Sequence, residues 1–320
     1  MKRFLGYISS LLIVINLTLE AIPYMFYPTV EVDLSKTEGA ISSRACGYLY
    51  GLAEEGVPSE EMIKSLDIKS VSQKVKDGLQ HPIGDVDHVS NNLDSCDYIV
   101  VYLQDSYSTW YYNHKEIEEA RKEGTYDCEA FVKNDFFPKV TEKVTEISKA
   151  DYSDRIVYCP YNECDNAVWF GTVMPEGWWA FDDAAKQRFY KAWKETFELI
   201  RSIDPDAKIG GPGYCDYDIY EIVDFLKYCK DNNCLPDIMI YHELSPISST
   251  YWEDHVKEYR QSEKALGIKE LPIIITEYGT MEECGAPAPM LHYIQAIEDS
   301  NTYANVAYWR LADNLCDTCT

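Results

Sequence analysis

Two glutamates occupy positions where composition alone would not put an acid. Glu163 follows the apolar run Arg155–Tyr161, and Glu277 closes the run Pro272–Glu277. A carboxylate at the end of an apolar strand is costly unless it faces a polar cavity. Two carboxylates facing one cavity can divide a reaction between them. One, protonated, donates to a leaving oxygen; the other, ionised, attacks the carbon that the oxygen leaves. That pair of roles opens a glycosidic bond. The competing reading of each glutamate is a structural ion pair with Lys or Arg. Asn162, immediately before Glu163, favours the paired reading. Similar residues collect after other apolar runs: Gln104 and Asp105 after Tyr98–Leu103, His242 and Glu243 after Asp237–Tyr241, Tyr278 beside Glu277, and Trp309 and Arg310 at the end of Asn305–Trp309.

Positioning these residues falls to a repeated strand-then-helix rhythm. Strands are expected at Cys46–Leu52, Tyr98–Leu103, Arg155–Tyr161, Lys208–Gly211, Asp237–Tyr241, Pro272–Glu277 and Asn305–Trp309, with Ser70–Val75 a weaker second strand. Helices are expected at Asp127–Ala150, Asp182–Ile203, Tyr217–Asn232, Tyr251–Gly267 and Pro289–Ser300. Near-continuous apolar strands, each followed by a helix, imply a parallel sheet covered by helices. Eight such units predict an α/β fold of the (β/α)8 TIM-barrel type, in which functional residues gather at the C-terminal ends of the strands. The sequence after Asn305–Trp309 leaves little room for an eighth helix, so the barrel reads as incomplete there unless Phe26–Ser42 fills the gap.

The basic start Met1-Lys2-Arg3 and the apolar run Phe4–Leu19 read as a secretory signal peptide over residues 1–21, with an uncleaved membrane anchor as the alternative. Residues 22–44 form an N-terminal segment and residues 45–320 the barrel. The expected location is therefore extracellular, with no membrane partner after signal cleavage. A net charge of −25, from 29 Lys+Arg and 54 Asp+Glu, excludes a nucleic-acid partner. Neither G-x-G-x-x-G nor G-x-x-x-x-G-K-[ST] follows a strand, so no nucleotide is expected. His88, His114, His255 and His292 lack ligand spacing and no H-E-x-x-H is present, so no metal or cofactor is expected. No G-x-S-x-G elbow supports a serine nucleophile. Of 11 cysteines, Cys229 and Cys234 flank a helix end and could bridge, and Cys316 and Cys319 have a C-x-x-C spacing.

With Tyr161-Asn162-Glu163, Gly210-Gly211-Pro212, His242, Thr276-Glu277-Tyr278 and Tyr308-Trp309 in place, the chain resembles clan A glycoside hydrolases, and most closely glycoside hydrolase family 39. The likeness spans roughly residues 150–310 and is weaker over 45–150, where Gly78-Leu79-Gln80-His81-Pro82-Ile83-Gly84-Asp85 reads like a family-specific loop. It implies a retaining double displacement on a carbohydrate substrate. Glu163 would be the general acid/base and Glu277 the nucleophile. Asn162 would bind the hydroxyl beside the anomeric centre, His242 would line the same subsite, and Trp309 would form its floor. Cys164 in place of a Pro, Ile240 in place of a Ser and Gly279 after the nucleophile depart from the family pattern and leave the sugar open.

Further substrate contacts are expected from His81, Gln104, Asp105 and Tyr278, and less strongly from Asp85. Trp110-Tyr111-Tyr112, Trp169, Trp178 and Trp179 suit sugar stacking, with core packing the commoner fate of such residues. Trp193 reads as core and Glu243 as half of an ion pair. The alternative to a hydrolase is a sugar-binding barrel without turnover, which a barrel open at strand eight would favour.

Overall fold

The structure, a computed structural model, describes residues 33, 35–36 and 39–307 with short gaps at 51, 53–58, 81–83, 90–92, 94, 109–111, 113, 167, 175–176 and 178, together with 310–311 and 314–315. The chain divides into two units, Met1–Ile41 and Ser42–Thr320. In the first, Asp33 caps a turn by accepting from the Ser35 amide and hydroxyl.

The second unit is a closed parallel barrel of eight strands: β1 Gly47–Leu49, β2 Ser70–Lys74, β3 Tyr98–Tyr102, β4 Ile156–Cys159, β5 Lys208–Tyr214, β6 Ile238–Glu243, β7 Ile273–Tyr278 and β8 Tyr303–Val306. The expected (β/α)8 architecture is the observed one. Side-chain alternation separates two cores. Val100, Tyr102, Val157, Cys159, Ile238, Ile240 and Ile274 fill the interior. Ile99, Val101, Tyr158, Met239, Tyr241, Ile273 and Ile275 pack in the helix-facing layer. The weak second strand is real. Its five residues are all buried, but its interior side chains are serines rather than aliphatics. The Asn305 amide of β8 lies 2.6 Å from Ser70 Oγ and 2.8 Å from Ser72 Oγ, so polar groups satisfy one another where Val or Ile would give the usual signal.

The main helices are α1 His114–Lys122, α2 Phe137–Ile147, α3 Asp183–Ile203, α4 Ile219–Asp231, α5 Trp252–Leu266 and α6 Pro287–Ser300. Asp182 and Asp218 cap α3 and α4 by accepting first-turn amides, and Gly267 ends α5 in the left-handed region at φ 63°. The expected helix Asp127–Ala150 is observed as one helical run over residues 128–147, carrying a π segment in its first half. A turn at Cys128–Phe131 leads through a π segment, Val132–Phe136, into α2, which carries Pro138 in its first turn. Pro138 has no amide to donate to the preceding turn, and the helix accommodates the missing bond with the π distortion. α1 was not foreseen; its strongly polar sequence carries little apolar signal.

The barrel closes where the sequence reads as incomplete, because β8 pairs with β1 at Val306 and Tyr48. Among the described residues beyond β8 there are only two short antiparallel strands, Arg310–Leu311 and Asn314–Leu315, and no helix. Phe26–Ser42 lies largely outside the described residues. Ahead of β1, Glu298 of α6 accepts from the Ser42 amide and hydroxyl and from the Ala45 amide. Cys229 and Cys234, whose spacing would allow a bridge, are both thiols. Their turn is closed by the Cys234 amide donating to the Cys229 carbonyl at 2.9 Å. Cys316 and Cys319 fall outside the described residues.

β5 extends past Gly211 because its glycines make room for neighbours. A Cβ on Gly211 would sit 2.4 Å from the ring of Trp193, which is fully buried and donates from Nε1 to the Cys234 carbonyl. Gly211→Ala should therefore destabilise the barrel by about 1–3 kcal/mol, the usual range for overpacking. Thermal unfolding reads this directly, and an unchanged midpoint would show that the ring yields without strain.

Candidate active site

At the end of β4 the chain turns sharply. Tyr161 faces outward into Phe136, Phe170 and Phe189, and its hydroxyl lies 2.7 Å from Thr196 Oγ1. Two residues later, Glu163 adopts φ 50° and its amide donates to the Gly213 carbonyl at 2.7 Å. A non-glycine residue in the left-handed region is uncommon. Here Tyr161 anchors one side of the turn and β5 holds the other. Gly213, at φ 78°, lies so close that a Cβ would meet the Tyr161 carbonyl at 2.4 Å. Gly213 is thus required beneath Glu163, and only its backbone reaches that glutamate.

Glu277 reaches the same space through a register change. Strict alternation from Ile274 would turn Thr276 inward and Glu277 toward the helices. The β6–β7 ladder shifts between Tyr241 and His242, so that His242 stands opposite Glu277. Bulges of this kind re-aim side chains beside functional sites. The same shift sends Tyr278 into the helix-facing layer, where its ring packs 5.7 Å from Trp252 and 4.9 Å from Tyr293. Tyr278 is core, which corrects the expectation that it contacts substrate.

His242 lies between the two acids. It is fully buried, with Nδ1 3.4 Å from Glu163 Oε1 and Nε2 3.7 Å from Glu277 Oε1. Burial alone would lower the imidazole pKa, but the charges of Glu277 and Glu163 outweigh it and hold the pKa above its ordinary value. One oxygen from each glutamate and one imidazole nitrogen lie within 4.8 Å of one another. Among the described residues this is the cluster whose donors could hold a small cation. No sequence spacing announced it, because its members come from three strands.

Asn162 is buried and held on two sides. Its amide group donates to the Tyr112 hydroxyl at 3.1 Å, and its backbone N–H donates to the Gln104 side-chain carbonyl. Gln104 is therefore a support beneath Asn162 rather than an exposed sugar contact. Asp105 is fully buried and accepts from the Tyr50 hydroxyl at 2.7 Å. Both sit on the 3-10 turn Leu103–Ser106, whose first three residues are buried. Tyr112 is buried, as the commoner fate of such aromatics has it, and braces Asn162. Asp85 pairs with the buried Lys74 Nζ at 2.5 Å. Trp169 is core, packed on Phe131 and Phe136, and Trp179 lies 4.7 Å from the Arg121 guanidinium. Glu243 pairs with His255 at 2.8 Å, as its ion-pair reading anticipated. His81, Trp110, Tyr111, Trp178 and Trp309 lie outside the described residues. A groove of about 400 Å³ lined by Tyr126, Arg188 and Lys191 opens among the outer helices and touches none of the strand-end acids.

One residue of the site was not foreseen: Tyr102 at the end of β3. The Tyr102 hydroxyl donates to Glu277 Oε1 at 3.4 Å from a fully buried position in the barrel. Its signal was available, since β3 alternates and Tyr102 falls on the interior phase with Val100. Tyr102→Phe should lower turnover by about tenfold, the low end for a hydrogen bond to a charged group, and leave KM nearly unchanged. A rise in KM with turnover intact would instead make Tyr102 a substrate contact.

A closed (β/α)8 barrel with two carboxylates and an imidazole at its strand ends has the framework of a glycoside hydrolase. The comparisons point the same way. No family model matches the chain. A 3-O-beta-L-arabinopyranosyl-alpha-L-arabinofuranosidase from Bifidobacterium pseudocatenulatum is 28% identical over 90% of this chain and 32% of its own length. A 3-O-alpha-D-galactosyl-alpha-L-arabinofuranosidase from Bifidobacterium longum subsp. longum is 30% identical over 90% of this chain and 28% of its own. The solved structure of N2152 from Neocallimastix frontalis superposes with a TM-score of 0.63 at 26% identity, covering 84% of this chain and 62% of that one. The resemblance to clan A glycoside hydrolases read from the sequence holds. The chain spans about a third of the length of these curated relatives.

Proposed function

We propose that this chain is the catalytic barrel of a retaining glycosidase that releases an α-L-arabinofuranosyl unit carrying a second sugar. The observation that carries the reading is the spacing of Glu163 and Glu277, whose nearest oxygens fall within 4.8 Å with His242 between them. Retaining pairs stand about 5–5.5 Å apart, and inverting pairs leave about 6.5–9.5 Å for a water. Glu163 gives its proton to the departing glycosidic oxygen while Glu277 attacks the anomeric carbon. Water, deprotonated by Glu163, then releases the sugar with its original configuration. Asn162, fixed by Tyr112 and Gln104, would bind the neighbouring hydroxyl. The arabinofuranosyl substrate is taken from what the two bifidobacterial relatives are named for. A closed strand eight favours turnover over a binding-only barrel. The N-terminal Met1-Lys2-Arg3 and the apolar run after it support secretion.

The test is a panel of aryl glycosides: α-L-arabinofuranoside, the same sugar with a galactosyl group on O3, β-xyloside, β-galactoside and β-glucoside. Hydrolysis of the arabinofuranosides, with the capped one faster and the first product retained by NMR, is the expected outcome. Hydrolysis of another sugar alone would replace the substrate, and an inverted first product would overturn the mechanism.

A further inference from the structure

We propose that Glu163, His242 and Glu277 also form a binding site for one first-row transition cation, of the Zn²⁺ or Cu²⁺ class, and that the bound cation excludes substrate chemistry. The proposal uses the side chains assigned above to catalysis but does not depend on the activity. The donors are already gathered: one oxygen of each glutamate and one ring nitrogen within 4.8 Å of one another, the shortest separation 3.4 Å between His242 Nδ1 and Glu163 Oε1. Bonds of about 2.0–2.1 Å in a tetrahedron put ligand atoms about 3.3 Å apart. One pair thus stands near the required spacing, and the remaining separations lie within 4.8 Å.

A second, independent observation points to a ligand. His242 is fully buried, yet neither ring nitrogen completes a hydrogen bond, and both face the glutamates. The glutamates stand 3.4 and 3.7 Å away, within ion-pair reach but without the geometry of a hydrogen bond, so the ring's bonding capacity is incompletely used. Once deprotonated, the ring offers one nitrogen lone pair beside the two carboxylates, so a cation binds here by displacing a proton from His242. The donor set chooses the metal. One imidazole and two carboxylates supply three ligands, the number that suits Zn²⁺ with water as the fourth. Mg²⁺ and Ca²⁺ want six or more oxygens, which this cluster does not offer. The chain's net charge of −25 raises the local concentration of any cation.

A cation held here has a direct chemical consequence. It takes up the Glu163 oxygen that would carry the transferable proton and the Glu277 lone pair that would attack. Neither bond change can then occur, and the cation acts as an inhibitor competing with sugar.

The experiment uses the full chain stripped of metal with EDTA and desalted, titrated with CoCl2. Cobalt reports a tetrahedral nitrogen–oxygen site by visible absorption that octahedral surface carboxylates give far more weakly. One equivalent should develop the band, ZnSO4 should abolish it and MgCl2 should not. His242→Asn should weaken binding by about tenfold or more, since loss even of an outer-shell partner costs 10–100-fold. Glu163→Gln and Glu277→Gln provide the same reading should His242→Asn fail to fold. Binding of equal strength in these variants would assign the metal to surface acids and overturn the site. Hydrolysis by the stripped enzyme is followed separately. Activity without a cobalt band would remove the cation site and leave the glycosidase; a cobalt band without activity on any sugar would do the reverse.

Discussion

Replacing Glu277 with alanine should abolish hydrolysis, lowering kcat/KM by about 10⁴-fold or more while the barrel remains folded. The size follows from what the site lacks once the side chain is gone. Glu163 is the other carboxylate of the gathered cluster, and it is held in its turn by the Gly213 carbonyl on β5. It cannot cross to the face from which Glu277 would attack. Folding should survive, because Ile273, Ile274 and Ile275 fix β7 upstream of the bulge and are all buried. The truncation vacates a small space between Tyr102 and His242. Azide can enter it, attack the anomeric carbon directly and give a glycosyl azide of inverted configuration. The assay is hydrolysis of the best aryl glycoside with and without sodium azide, beside thermal unfolding of both proteins. Activity within tenfold of the parent protein, with a normal melting curve, would remove Glu277 from the nucleophile's role.

The same bulge shows how far the sequence could be read. Seven of the eight strands were legible because their interior and helix-facing residues are both apolar, as parallel strands buried on two faces require. The eighth, β2, was faint because Ser70 and Ser72 bond Asn305 in the interior. Glu163, Asn162 and His242 were found because polar residues at strand ends stand out against apolar runs. Their neighbours misled for a physical reason. Position after a strand says that a residue is near the opening, but not which way it points. Gln104 and Asp105 enter a buried turn, and Tyr278 is displaced by the register change that brings Glu277 inward. A bulge is set by how two strands pair, and neither strand's own sequence displays that pairing. Tyr102 is the opposite case. Its phase was plain, but an interior aromatic reads as packing until the fold places its hydroxyl beside Glu277.

Glu163→Ala should behave differently from Glu277→Ala, and the difference assigns the two roles. A hydroxyl donated by Tyr102 suits an ionised carboxylate, which supports the proposed roles of Glu277 as attacking group and Glu163 as proton carrier. Removing a general acid costs about 10²–10⁴-fold when the leaving group needs a proton, as a sugar or alkyl oxygen does. A dinitrophenolate needs none, so the first step should stay fast with that substrate. The second step still lacks its base, and the glycosyl-enzyme on Glu277 should accumulate, visible as a burst of released phenol. Azide needs no deprotonation; it should discharge the intermediate and give a glycosyl azide of retained configuration, opposite to that from Glu277→Ala. Product configuration by NMR therefore distinguishes the two glutamates even if both variants lose comparable activity. A retained azide from Glu277→Ala and an inverted one from Glu163→Ala would exchange the assignments. Equal losses for all leaving groups in Glu163→Ala, with no burst and no azide effect, would show that Glu163 moves no proton and that its left-handed turn serves only to shape the site.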